Sequence, residues 1–191
     1  MSDCDRLYAL YHLVTFRGLR RGEAVGLPWA EVDLVGRSLA VSEQIVQVGY
    51  LTETGPPKSD SARVVVLDAD SVAVLQSHKV RQNQERLAWG PGWVNSGLVF
   101  TREDGTALHP EYVSRHFERL ARNAGLPPVR LHDLRHGAAT FLLAAGVPMR
   151  VVMETLGHSS YQLTADTYSH VLPELQRDAA NAMDRVLGEG Q

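Results

Sequence analysis

Two hydrophobic periods alternate along this chain, and the switches between them mark out its elements. Residues 5–16, DRLYALYHLVTF, place Leu7, Leu10, Tyr11 and Val14 at helical spacing, which predicts an amphipathic helix. Gly18 breaks it, and GLRRGEAVGL continues as a turn and a short second helix that ends at Pro28 and Trp29. From residue 38 to 48 the composition turns β-branched, with Val41, Ile45, Val46 and Val48 among polar residues, and predicts a strand that turns at Gly49. GPPKSDSA is a loop by its glycine and proline content, and RVVVL at 63–67 is a second strand. Residues 38–67 are therefore expected to form a small antiparallel sheet of two or three strands, with Lys58 in or beside a turn.

Helical spacing then returns over 69–89, with Val72, Leu75, Val80 and Leu87 apolar. LVF at 98–100 reads as a short buried segment and REDG as a turn. His109 and Pro110 open a helix carrying Val113, Phe117 and Leu120 on one side, closed by Gly125. A helix over 132–145 stops at Gly146, and the next starts with Pro148 in its first turn and ends at Gly157. Helices are expected around 164–171 and, from the spacing of Leu175, Ala179, Ala182, Met183 and Val186, over 173–187. The fold class is mixed α+β, predominantly helical, in one domain over 1–191 without repeats or a linker.

Composition narrows the setting more than the fold. The 191 residues suffice for one well-buried domain. The chain contains no apolar run of the roughly eighteen residues a membrane span needs, so no membrane partner is expected. The acidic start MSDCDRLYAL lacks a signal peptide's basic flank and apolar core, so a cytoplasmic location is expected. The single Cys4 excludes an internal disulfide and a cysteine-based metal cluster. A net charge of -3 weighs against nucleic acid, but the distribution does not. Acidic residues gather at the ends, whereas basic ones gather at Arg17, Arg20 and Arg21 and again through Arg115, Arg119, Arg122, Arg130 and Arg135. Of nineteen basic residues only Lys58 and Lys79 are lysine. Arginine codons favoured by a GC-rich genome account for the bias, yet a lysine can release a proton and an arginine cannot.

The candidate chemistry lies in residues 131–171, which hold His132, Arg135, His158 and Tyr168. His132 and Arg135, three apart on one helix, share a face. His158 follows a glycine at a helix end, and Tyr168 lies ten residues beyond it. A guanidinium, two imidazoles and a phenol can surround a phosphate and attack it. Taken one at a time, each of these side chains is more commonly packing or surface.

Taken together, the residues resemble the catalytic domain of the tyrosine recombinases, the phage-integrase and Xer-like site-specific recombinases. TFRGLRRGEAVGLPWAEVDL is similar to the family's first box, which implies that Arg20 binds the scissile phosphate and that Glu23 supports the site. PPKSDSARVVVL resembles the hairpin that bears the family's lysine, here Lys58. LHDLRHGAATFLLAAG resembles the His-x-x-Arg box, giving His132 and Arg135, and LGHSSYQLTADTYSHV the final boxes, giving His158 and the nucleophile Tyr168. The resemblance implies double-stranded DNA as substrate, a 3′-phosphotyrosine intermediate, no cofactor and no metal. It also implies a tetramer of the full-length protein on DNA.

Three other readings compete. His132 and His136 are spaced like a helical zinc pair, but Asp133 stands where a glutamate belongs and cysteine ligands are lacking. AAGVPMRVVMETLG resembles a helix-turn-helix regulator, though its second helix is too apolar to read bases. A type IB topoisomerase shares the chemistry but not the boxes. The main departure from the family is at the front, where nineteen residues precede Arg20 and a helical core-DNA-binding domain is expected. The chain therefore reads as a catalytic domain cut from a longer protein, or a natural fragment without activity. Alone it is expected to be monomeric and to bind DNA weakly. Pro28 replaces a basic residue common in the first box, and the 173–187 helix is expected to dock either on a neighbouring protomer or on its own domain.

Overall fold

A computed structural model describes residues 5–48, 51–57 and 62–157. Among them, six α-helices run α1 (Tyr8–Arg17), α2 (Arg21–Gly26), α3 (Ala69–Trp89), α4 (Pro110–Asn123), α5 (Leu131–Ala144) and α6 (Met149–Leu156). Between α2 and α3 lie five strands, β1 (Val32–Asp33), β2 (Ser38–Val41), β3 (Gln44–Val48), β4 (Leu51–Gly55) and β5 (Arg63–Val66). The mixed α+β, mainly helical class agrees with the sequence reading. The expected helices over 164–171 and 173–187 lie outside the described residues.

The helix α1 departs from its expected amphipathic character. Every residue from 9 to 14 is buried, including Tyr11 and His12. The reason is that α2, α3 and α5 all pack on α1, so its middle has no solvent face, while Phe16 in its last turn is exposed. Its polar groups are satisfied internally: the Tyr11 hydroxyl donates to the Val113 carbonyl at 3.1 Å, and His12 Nε2 pairs with Ser71 Oγ at 2.9 Å. Burial drives the Tyr11 phenol above its usual range and the His12 imidazole below its own, so both stay neutral.

The β region also departs from the expected single sheet. Residues 38–48 are not one strand: β2 pairs antiparallel with β1 and β5, while β3 turns away to pair with β4 alone. Ser42 and Glu43 separate the two strands, both exposed. Ile45 then packs in the core and β3 lies against α2. In β5 the alternation is clean, with Val65 and the following Leu67 buried and Val64 and Val66 exposed. Arg63 shares the inward-facing register with Val65 and Leu67, a placement that requires a partner for its charge.

Two apolar clusters result. The larger contains α1 with Leu19, Leu39, Val65, Leu75, Phe100 and Val113. The smaller, Ala139, Leu143, Val152 and Leu156, joins α5 to α6. Gly18, left-handed at φ 67 as the cap of α1, sits against the side chain of Leu156, where a Cβ would overlap it. The seam between the two clusters is where the candidate residues gather.

Candidate active site

Arg20 caps the N-terminus of α2, and the Glu23 carboxylate reaches back to its backbone N–H at 2.8 Å. The same carboxylate accepts from Arg20 Nη1 at 2.7 Å, so Glu23 fixes both the main chain and the guanidinium of Arg20. The Glu23 side chain is fully buried, and Arg63 completes its neutralisation with Nη1 and Nη2 at 3.1 and 2.9 Å. Burial pushes the Glu23 carboxyl up, but the hydrogen bonds and charge of Arg63 and the bonds from Arg20 outweigh it, and the net shift is down. The structure joins Glu23 to Arg20, the contact that its expected supporting role requires, and adds Arg63, which the sequence reading did not single out. The available signal was its position on the buried face of a strand.

Three arginines meet at the C-terminal end of α6. Arg20 Nη2 donates to the Gly157 carbonyl at 2.6 Å, Arg63 Nε to that of Thr155 at 3.0 Å, and Arg135 Nη2 to that of Leu156. Helix C-termini carry unsatisfied carbonyls and partial negative charge, so cations are favoured there. Arg135 is 2% exposed and also donates Nη1 to the Gly18 carbonyl at 2.6 Å. It therefore spans the seam, binding the end of α1 to the end of α6.

His132 enters from the first turn of α5, whose start is set by the Asp133 carboxylate on the Arg130 N–H at 2.8 Å. Burial lowers the His132 imidazole below its ordinary range, reinforced by His136, whose ring lies edge-on at 4.7 Å, and by Arg135. A neutral ring at pH 7 is one that can accept a proton. Arg20, Arg21, Gln44, Gln47, Ser114 and His132 line one open groove. The first residues of α4 and α5, Pro110 and Leu131, border it as well. The structure thus brings Arg20, Glu23, His132 and Arg135 to one place. Lys58, His158 and Tyr168 lie outside the described residues. The chain runs towards Lys58 from Pro56, whose carbonyl takes Gln44 Nε2 at 2.8 Å, and towards His158 from the clamped Gly157.

The sequence comparison decides the family. The phage integrase family matches residues 2–174. The chain belongs to that family. An XerC-like tyrosine recombinase of Caldanaerobacter subterraneus subsp. tengcongensis is 33% identical over 94% of this chain and 49% of its own length. The ICEBs1 integrase of Bacillus subtilis is 28% identical over 95% of the chain and 50% of its own length. The chain thus spans about half the length of these relatives. Among solved structures, the Tn1549 transposon integrase in complex with transposon right end DNA matches with a TM-score of 0.76. That match has 23% identity over 96% of this chain and 59% of that one. The XerH site-specific recombinase bound to palindromic difH substrate matches with a TM-score of 0.66 at 25% identity, covering 96% and 48%. These matches establish the integrase catalytic fold. They disfavour the helix-turn-helix reading, in which α6 would read bases: Val152 and Leu156 are buried against α5.

Glu23 carries a pH prediction. Its carboxyl is held below the ordinary value near 4.5, so it stabilises the fold above that value. That contribution is lost as pH falls through the lower folded value. Urea titrations between pH 6 and the acid range are expected to show a shallower acid loss in Glu23→Gln than in the parent. Parallel curves would contradict it.

Proposed function

We propose that the protein carries out site-specific DNA strand breakage and rejoining on double-stranded DNA. The observation that carries this reading is the shared groove of Arg20 and His132, with the end of α6 clamped beside it. Arg20 donates to a non-bridging oxygen of the scissile phosphate, with Glu23 fixing its direction. Arg135 supplies positive charge from beneath and holds the frame. The first turns of α4 and α5 add the positive ends of two helices, which favour a phosphate. Tyr168 attacks phosphorus through its phenolic oxygen, giving its proton to the neutral His132. The P–O5′ bond breaks, Lys58 protonates the departing 5′-oxygen, and His158 adds a hydrogen bond to the phosphoryl oxygens. The 3′-phosphotyrosine ester keeps the bond energy, and attack by a 5′-hydroxyl on that ester rejoins the strand. The full-length protein works on its DNA as a tetramer in the cytoplasm.

The test uses the protein at its natural full length, with duplex DNA it has selected from a random-sequence pool. A nick placed beside the cleavage point lets the short 5′ fragment diffuse away and traps the ester. A covalent protein–DNA band formed without ATP or added metal supports the reading. Sequence-specific binding with no covalent band would overturn it in favour of a regulator.

A further inference from the structure

The structure assigns Arg63 a positioning role in this reaction: it locks the strand that follows Lys58 in the chain, the Glu23–Arg20 pair and the end of α6 into one unit. The inference rests on the proposed strand-breakage reading. Three observations carry it. Arg63 lies on β5, five residues after Lys58, with its side chain only 8% exposed. Its two terminal nitrogens take both oxygens of the Glu23 carboxylate, at 3.1 and 2.9 Å, the bidentate geometry in which arginine and lysine are not interchangeable. Its Nε meanwhile holds the Thr155 carbonyl of α6 at 3.0 Å.

Each bond serves a different candidate residue. Through Glu23, Arg63 sets the carboxylate that orients Arg20. Through Thr155 it fixes the last turn of α6, two residues before Gly157, which itself precedes His158. Through its own main chain, paired with Val41 of β2, it anchors the segment that follows Lys58. The packing leaves little slack, since a Cβ on Gly157, already left-handed at φ 65, would crowd the guanidinium at 2.8 Å. Among the described residues, Arg63 meets the Glu23 carboxylate and the Thr155 carbonyl. Its influence passes through the groups it holds.

The substitutions Arg63→Lys, Arg63→Met and Arg63→Met with Glu23→Gln separate this role from bulk stability. The charged groups hydrogen-bonded to Glu23 among the described residues are Arg20 from its own helix end and Arg63 from β5, while α6 presents backbone carbonyls to both. In Arg63→Met, adduct formation at saturating DNA is expected to slow about 10- to 100-fold, the scale of a misplaced catalytic group, with DNA affinity held. Its acid limb is expected to move to higher pH, because Glu23 loses a partner that keeps it charged. Adding Glu23→Gln should remove that limb, and Arg63→Lys should not restore the rate. Hydrogen exchange is the readout that does not need activity: in Arg63→Met the Arg20 and Gly157 amides should exchange faster together, with α3 unchanged. A rate per folded molecule equal to the parent's, with an unmoved acid limb, would overturn the assignment. Exchange that quickens only within β5 would overturn it as well. A parent that forms no adduct while the Arg20 and Gly157 amides still respond together would count against the strand-breakage reading and leave the positioning of this unit standing.

Discussion

Arg135→Ala is expected to slow covalent capture of DNA by about three orders of magnitude, the scale seen when an arginine that stabilises a transferring phosphoryl group is removed. It should also destabilise the fold, because Arg135 is almost fully buried and bridges the ends of α1 and α6 through the Gly18 and Leu156 carbonyls. Each buried carbonyl left without a donor costs about 1–3 kcal/mol, so a total near 3 kcal/mol is expected. The two effects separate in Arg135→Lys. A lysine keeps the charge and can still reach a carbonyl, so much of the stability should return. It lacks the fork that holds two carbonyls at once, so the rate should stay low. Denaturant melts alongside single-turnover capture assays check both. Stability and rate recovering in parallel would mean that Arg135 serves the fold alone.

Lys58→Ala carries the second large effect, a loss of about 10² to 10⁴ in strand cleavage, as expected for a missing general acid. The decisive control replaces the 5′-bridging oxygen with sulfur. A thiol titrates near 8.5, so the thiolate departs without a proton, whereas an alkoxide needs one. Cleavage of the sulfur-bridged strand should therefore be nearly insensitive to Lys58→Ala. Equal damage on both substrates would assign Lys58 to phosphate binding. The scarcity of lysine in the sequence motivates the role but does not establish it. The only other lysine, Lys79, stacks over the Trp29 ring at 4.7 Å, a contact arginine makes equally well.

Most of the fold was legible where local pattern and tertiary setting agree. The helix over 69–89 has the bounds its spacing predicts, and Gly18, Gly125, Gly146 and Gly157 all take the left-handed conformation that stops a helix. Legibility failed where a neighbour rather than the period decides. Nothing local reveals that the middle of α1 is covered on every side, because its burial comes from α2, α3 and α5. Nor does a run of β-branched residues reveal that β2 and β3 belong to different sheets.

The site divides in the same way. Arg20, Glu23, His132 and Arg135 are readable as spaced boxes, and the fold brings them together. Arg63 escaped because RVVVL looks like any strand when only its apolar residues are counted. Its inward register beside Val65 and Leu67 was the clue, since a charge on that face must meet an opposite one. How Arg135 spends its guanidinium was equally hidden. Its partners, Gly18 and Leu156, offer main-chain carbonyls, which no side-chain motif records.

Tyr168 is expected to become esterified to the 3′ side of the broken strand. The direct measurement is to trap the adduct on nicked DNA, digest it with nuclease and protease, and locate the residual nucleotide on a peptide by mass spectrometry. A single modified peptide with the phosphate on Tyr168 is expected, and no adduct from Tyr168→Phe. A phosphate on Tyr161, seven residues earlier, or an adduct that persists in Tyr168→Phe, would contradict it.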